Sequence, residues 1–423
     1  MNDPMLDHAG RPRIVITGIG MVTALGMDAA TSWAGLLAGR SGIRAITRFD
    51  ASAMRSRIGG CVDLPGDEPG RPLSCGARVT RLAEWALAEA VAQSGLPTPF
   101  PGPLTLGVPP FEIEWPLRQD ALARASTPTN RDLAVAMAGM PEVHHHQQVV
   151  APLRELAARF GTTGMPQAVT TACASGASAI QLAVEAIRRG EAQAVLTGGA
   201  EGSLTPETLI RFSLLQALSA RSEPAEAASR PFSLTRDGFV MGDGAAGLVL
   251  ESRAHAMARG ATILGEILGV GERADTFHRT RSSPDGLAIS GAMNAALEDA
   301  GLAPEAIGYV NAHGTSTPEN DKMEAMAMHQ VFGPVCPPIS STKSMLGHTL
   351  SAAGAIEAVI CLLAIRDQTL PPTINQDDTD PALELDVVPN HARPVSGLRA
   401  ALSNSFGFGG QNVCVVVGGA PPG

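Results

Sequence analysis

The two halves of this chain carry the same kinds of segment in the same order. A repeated plan of this kind demands a fold in which two similar units share one core. In the first half, Arg13–Gly20 is an apolar strand entering a glycine turn. Gly176–Arg189 has helical periodicity, with Ile180, Val184 and Ile187 on one face. Ala194–Thr197 is a strand, and Gly242–Leu250 is a glycine turn running into another. The second half gives a helix at Met293–Ala300, a strand at Ile307–Val310, and an extended piece and loop from Pro338. A helix at Ala352–Arg366 follows, and then glycines feed a strand over Gly407–Val417. SAIQLAVEAIRRGEA resembles GAIEAVICLLAIRDQT, and DGFVMGDGAAGLVLE resembles NSFGFGGQNVCVVVG. The join falls near Arg259–Ile267, which divides the chain into halves 1–262 and 263–423. The segment 97–150 (PTPFPGP, VPPFEIEWP) is broken by prolines and reads as a divergent insertion on the first half.

A length of 423 residues suits two fused units better than one. With 44% hydrophobic residues, 17% charged and 46 glycines, the expectation is a folded α/β protein rich in tight turns. The net charge of −10 offers nothing to nucleic acid. The cysteines Cys61, Cys75, Cys173, Cys336, Cys361 and Cys414 are scattered without a CxxC, so free thiols in a reducing cytoplasm are expected and a zinc site is not. The N-terminus has no long apolar leader, and the apolar helical runs fall short of a membrane span. Three adjacent histidines, His144–His146, cannot all face one ion on regular structure, and no metal site is assigned.

Four stretches carry chemistry. In TTACASGAS, Cys173 lies between a β-branched run and a helix, flanked by small residues. Unpaired N–H groups and the positive end of the helix dipole there favour a thiolate. The other five cysteines lack that setting and read as structural. In NAHGTSTPEND, His313 stands at a strand end on a polar loop, a place for proton transfer or hydrogen-bond donation. In STKSMLGHTLSAAGAIE, Lys343 and His348 precede the second-half helix that matches the Cys173 helix, so pseudosymmetry brings both loops to one cavity. In NSFGFGGQN, glycines offer backbone N–H groups to an oxyanion, and Phe406 and Phe408 supply apolar walls.

TACASG, NAHGTSTP, KSMLGH and NSFGFGG, in this order, resemble the β-ketoacyl-acyl carrier protein synthases, and within them the synthase II type. The resemblance runs from Ile14 to Val417 and is weak across about 100–150. It implies the thiolase fold, a five-layered αβαβα arrangement of two pseudo-duplicated halves, in a homodimer. It also implies decarboxylative condensation of a Cys173-bound acyl chain with a malonyl group on an acyl carrier protein, with no metal or other cofactor. By the same resemblance, the N–H groups of Cys173 and Phe408 hold the thioester oxyanion, and Phe408 is also a gate. His313 and His348 hold the enolate. Lys343 polarises the His348 region with Glu357 as partner. Thr315 and Thr317 hold the pantetheine arm, and Phe212 and Phe406 face substrate. Arg78 and Arg81, on a helix, occupy the family's position for docking the acidic carrier.

Two departures stand out. Gln216 replaces an arginine frequent in the family, which bears on carrier docking; 104–150 lacks a GSGIGG-like stretch, which points to an altered acyl preference for long or unusual chains. A ketosynthase of a polyketide or specialised-lipid pathway has the same chemistry. A non-catalytic chain-length-factor-like partner lacks the cysteine, and a thiolase carries a second cysteine where His348 stands.

Overall fold

The computed structural model describes residues 3–69, 72–127, 129–141, 143 and 148–421. His144–His146 lie outside them. The first half supplies β1 (Ile14–Thr23), α1 (Cys75–Ser94), β2 (Leu104–Gly107), α2 (Trp115–Arg124), α3 (Asn130–Ala138) and α4 (Ala151–Phe160). It continues with β3 (Gln167–Val169), α5 (Ser175–Arg188), β4 (Ala194–Glu201), α6 (Pro206–Leu214) and β5 (Gly244–Ser252). The second half supplies β6 (Gly265–Ala274), α7 (Leu287–Ala300), β7 (Tyr309–Asn311), α8 (Pro318–Phe332), β8 (Ile339–Ser340), α9 (Leu350–Asp367), β9 (Ala400–Phe406) and β10 (Gln411–Gly419).

The strands line up as β3-β2-β4-β5-β1 in one half and β8-β7-β9-β10-β6 in the other. The orders correspond strand for strand, and so do the directions. In each half the first two pairings of the row are parallel and the next two antiparallel. The halves meet where Ile14–Ile16 of β1 pairs antiparallel with Gly265–Ile267 of β6. The two alignments made on sequence pair α5 with α9 and β5 with β10, which hold corresponding places.

α1 packs on β1, β4 and β5 with α4 beside it, and α7 packs on β6 and β10 with α8 beside it. Between the two halves of the ten-stranded sheet lie α5 and α9, in contact with each other and with strands of both halves. The result is five layers, αβαβα. α9 is buried from Leu350 to Ile365 and is apolar around most of its circumference, as a helix in the middle layer must be. α5 and α9 cross at glycine. A Cβ on Gly176 would come within 2.8 Å of the Ala355 nitrogen, and one on Gly354 within 2.7 Å of the Ala177 nitrogen.

The proline-rich segment is not wholly an addition. Leu104–Gly107 within it is β2, fully buried in the main sheet between β3 and β4. Only the stretch after it stands apart, where α2 and α3 pack on one another around Ala121, Met140 and Val143. Among the described residues no helix is long and apolar enough to cross a membrane. All six cysteines are free thiols.

Candidate active site

Cys173 lies in a single 3-10 turn, Ala172–Ala174, between β3 and α5. Entering it forces Ala172 to φ +49°, a left-handed value unfavourable to a residue with a Cβ. Ser175 stitches the turn closed, accepting from the Thr171 N–H at 2.9 Å and donating to the Ala172 carbonyl at 2.6 Å. The sulfur is buried in an apolar cluster with Phe212, Leu209, Phe239 and Leu350. Burial pushes the thiol up to about 11, against the opposing pull of the Phe408 N–H and the Lys343 charge. Against the thiolate expected from the helix end, burial favours the thiol form of Cys173, because loss of water outweighs the N–H groups directed at the sulfur.

His313 follows β7, and His348 immediately precedes α9. Both rings are buried, with centroids 5.3 Å apart and edge to face. Phe406 packs on His313 and Phe239 on His348, each at 5.4 Å. Burial, and after it the Lys343 charge, hold both imidazoles well below the usual histidine range, so both are neutral near pH 7. His348 Nδ1 accepts the Leu350 N–H at 3.3 Å, which assigns its proton to Nε2. That Nε2 has no partner among the described residues, nor does His313 Nδ1. The sulfur and one nitrogen of each ring lie within 4.8 Å of one another. Such a Cys–His–His set could hold a soft divalent ion.

Lys343 is buried behind the histidines. Its Nζ donates to Glu357 on α9 and, at 3.3 Å, to the Ala312 carbonyl. Burial pushes the Glu357 carboxyl up to about 7, opposed by the Lys343 ammonium. A cavity of about 610 Å³ runs from Cys173, His313 and His348 past Thr315 and Thr317 to the surface, with Phe212, Phe406 and Phe408 on its walls. The Thr315 and Thr317 hydroxyls are 2.9 Å apart, and Thr317 also caps α8 by accepting the Asn320 N–H. The Phe212 and Phe408 ring centroids are 6.4 Å apart. Gln216 lies at the mouth.

The docking assignment of Arg78 is corrected. Its side chain is 1% exposed and is bound by Asp67, Asp243 and the Val62 carbonyl. A guanidinium so enclosed has no face for a carrier. Arg81 is half-buried, and its guanidinium donates to the Pro65 carbonyl.

Sequence reading missed the groups that hold the loops. Buried Glu324 on α8 accepts the N–H groups of His313 (2.8 Å) and Gly314 (2.7 Å) and the Asn404 amide (3.0 Å), so one carboxylate fixes the His313 loop. Buried Glu201, ending β4, accepts the Ser351 N–H at the start of α9. Asp275 donates its N–H to the Gly410 carbonyl at 2.7 Å, and Gly409 donates to the Arg279 carbonyl at 2.8 Å, tying the Phe408 loop to the neighbouring one.

Two matched five-strand halves with a cysteine and two neutral histidines at their junction define a condensing enzyme of the thiolase fold. The chain belongs to the β-ketoacyl synthase family. The model of that family's N-terminal domain matches residues 11–67 and 127–256, and that of its C-terminal domain matches 264–377. The stretch left unmatched in the first half is thus 68–126, earlier than the segment singled out on sequence. A relative named 3-oxoacyl-[acyl-carrier-protein] synthase 2, from Coxiella burnetii, is 38% identical, covering 96% of this chain and 98% of that protein. Among solved structures, the ishigamide ketosynthase/chain length factor superposes with a TM-score of 0.83 at 34% identity, covering 97% of this chain and all of that one. A type II polyketide ketosynthase in complex with its acyl-carrier protein, bound to the hexaketide, gives 0.84 at 32%, with the same coverages.

Proposed function

We propose that this chain is a 3-oxoacyl-acyl carrier protein synthase, acting in the cytoplasm as a homodimer in fatty acid elongation. The observation that carries the reading is the buried set of Cys173 with two neutral, under-bonded histidines at the inner end of the cavity. In the first step Cys173 attacks an acyl-carrier thioester. The acyl–sulfur bond to the carrier breaks, the Cys173–acyl bond forms, and the thiol proton leaves on the carrier's sulfur. The N–H groups of Cys173 and Phe408 hold the oxyanion, and each such donor is worth ~10²–10³ in rate. Malonyl-carrier then enters past Thr315 and Thr317. Its carboxylate leaves as CO₂, and the enolate oxygen is held by N–H groups of His313 and His348. The enolate carbon attacks the Cys173 thioester, a carbon–carbon bond forms, and the cysteine sulfur leaves and takes up one proton. Burial, reinforced by the Lys343 charge that Glu357 holds in place, keeps both imidazoles neutral and therefore fit to donate without becoming cations. Neither a metal nor a redox group has a part in these steps. Dimerisation is assigned to β3, a strand at the edge of the sheet that among the described residues pairs with β2 alone.

The acyl preference is assigned to long or unusual chains. The divergent segment contributes Glu114, Trp115 and Pro116 to a second cavity of about 720 Å³, whose other walls include Phe49, Leu73 and Leu204 beside charged Arg48, Glu68 and Glu207. Leu204 also belongs to the apolar cluster around Cys173. The polyketide or specialised-lipid reading keeps the same steps and differs in product length. The test is incubation with malonyl-carrier and acyl-carriers of increasing length, following products by mass, with Cys173→Ala in parallel. Condensation by that variant at the parent rate would end the assignment. A length profile like that of ordinary synthase II would end the acyl-preference reading alone.

A further inference from the structure

With Arg78 enclosed and Arg81 turned to a carbonyl, the carrier needs another surface. We propose that Arg279, Arg281 and Lys322, at the mouth of the Cys173 cavity, form the surface on which an acidic acyl carrier protein docks. The proposal rests on the condensing function above.

All three side chains line the mouth and are exposed, and none has an ion-pair partner among the described residues. Other exposed arginines, such as Arg55 and Arg221, are unpaired too among the described residues, but these three cations converge on the mouth of the Cys173 cavity. The other charges at the mouth are nearly all accounted for. Arg236 pairs with Asp380 at 2.8 Å, and Asp237 pairs with Arg230 at 3.0 Å. Asp275 is buried, its carboxylate accepting the N–H groups of Phe277 and Ser283 at 2.9 and 2.7 Å. Exposed Glu319 is the remaining anion, which leaves the rim with an excess of positive charge.

The arginines also stand on an ordered loop. Asp275 closes it at both ends, and the Arg279 carbonyl accepts the Gly409 N–H at 2.8 Å. Their charge is therefore presented without much loss of loop entropy on binding.

Apolar surface adjoins this charge. Leu215 lines the mouth, and on α6 Ile210 and Leu214 stand four residues apart, 53% and 80% exposed. Phe277, beside the arginines, is 54% exposed. Arg211, between the two apolar positions, is turned to Glu112. A mouth that is cationic on one wall and aliphatic beside it fits an amphipathic acidic helix, with the pantetheine arm passing between.

The test uses the full chain with Arg279→Glu/Arg281→Glu, and the charge-keeping Arg279→Lys/Arg281→Lys beside it. Condensation is measured with the acyl group on carrier protein, on N-acetylcysteamine and on coenzyme A. The expected result is a fall of about tenfold or more in the ratio of kcat/KM on carrier to that on N-acetylcysteamine. The salt dependence of the carrier reaction should flatten, and the lysine variant should restore both. An equal fall on both substrates, or no fall, overturns the proposal. So does an equal fall on carrier and coenzyme A, which would make the rim a phosphate site and not a protein dock. Failure of the condensing function itself looks different, since the parent chain would then turn over none of the three. Fluorescence anisotropy of labelled carrier reads the rim even in that case, and unchanged affinity in the glutamate variant would refute it.

Discussion

Replacing Lys343 with methionine tests whether the buried ion pair is the structural support of the site. Lys343 and Glu357 are each about 3% exposed in their side chains, and Lys343 is the one hydrogen-bond donor found for the Glu357 carboxylate among the described residues. Methionine keeps the length of the side chain and removes the charge. The carboxylate is then left buried without a partner, a change that costs about 3–5 kcal/mol. A chain of 423 residues unfolds with an entropy of roughly 0.9 kcal/mol per kelvin, so the midpoint should fall by about 3–6 °C. The pH dependence gives the cause. A carboxyl whose folded pKa lies above its unfolded value binds its proton more tightly when folded. In the parent, Glu357 at about 7 against an ordinary 4.5 lowers stability as pH rises through that window, and the loss levels off above it. Removing Lys343 raises the folded value further, so the penalty grows at pH 8 and shrinks toward pH 5, where the folded-state carboxyl is protonated in parent and variant alike. Lys343→Met/Glu357→Gln should recover most of the stability but not the condensation rate. The assay is urea or thermal unfolding at pH 5, 6.5 and 8 beside steady-state condensation. A midpoint within 1 °C of the parent's at pH 8, or a loss that does not vary with pH, would refute the reasoning.

Alkylation of Cys173 without added substrate should accelerate about tenfold per pH unit from pH 6 to 9, since burial pushes the thiol up to about 11; a rate already level at pH 7 would show a low-pKa thiolate instead. His313→Ala and His348→Ala should each lower malonyl decarboxylation by ~10²–10³ while transfer of the acyl group to Cys173 falls much less, and quenched-flow acylation separates the two steps. Arg78→Met should cost about 3–5 kcal/mol in urea unfolding, chiefly through Asp67, which is left with Arg48 at 3.9 Å as its nearest cation while Asp243 keeps its two hydrogen bonds from Arg48, with the carrier KM near the parent's; a raised KM at full stability would return Arg78 to the docking face. Zn²⁺ should inhibit reversibly, with chelator restoring activity and Cys173→Ser weakening the inhibition, because sulfur and both rings converge within 4.8 Å.

The duplication was legible because the middle-layer helices α5 and α9 have few sequence solutions. Each must be small and apolar where it meets the other, and that requirement left two alignable runs. The loops bearing Cys173, His313 and His348 were legible for the same reason, as each sits beside a strand or helix end that periodicity marks. Arg78 was not. Periodicity places it on α1 but says nothing of Asp243, 165 residues away on a different element. The thiol state of Cys173 was hidden for a related reason. The helix end is local, whereas the apolar walls from Phe212, Phe239 and Leu350 arrive from three separate segments. Glu324 and Glu201 escaped notice because a carboxylate that binds backbone N–H groups leaves no pattern in neighbouring residues.

The crossing of α5 and α9 at Gly176 and Gly354 has a consequence for how such a chain can change over time. Cys173 rides at the start of one helix and His348 at the start of the other, so the gap between nucleophile and histidine is set by two backbones in contact and not by any adjustable side chain. A methyl group at either glycine would act as a spacer between the reacting partners. Surface loops, carrier-facing charge and the acyl chamber are therefore free to diverge while this one separation stays fixed, as a hinge pin stays fixed while the doors are replaced.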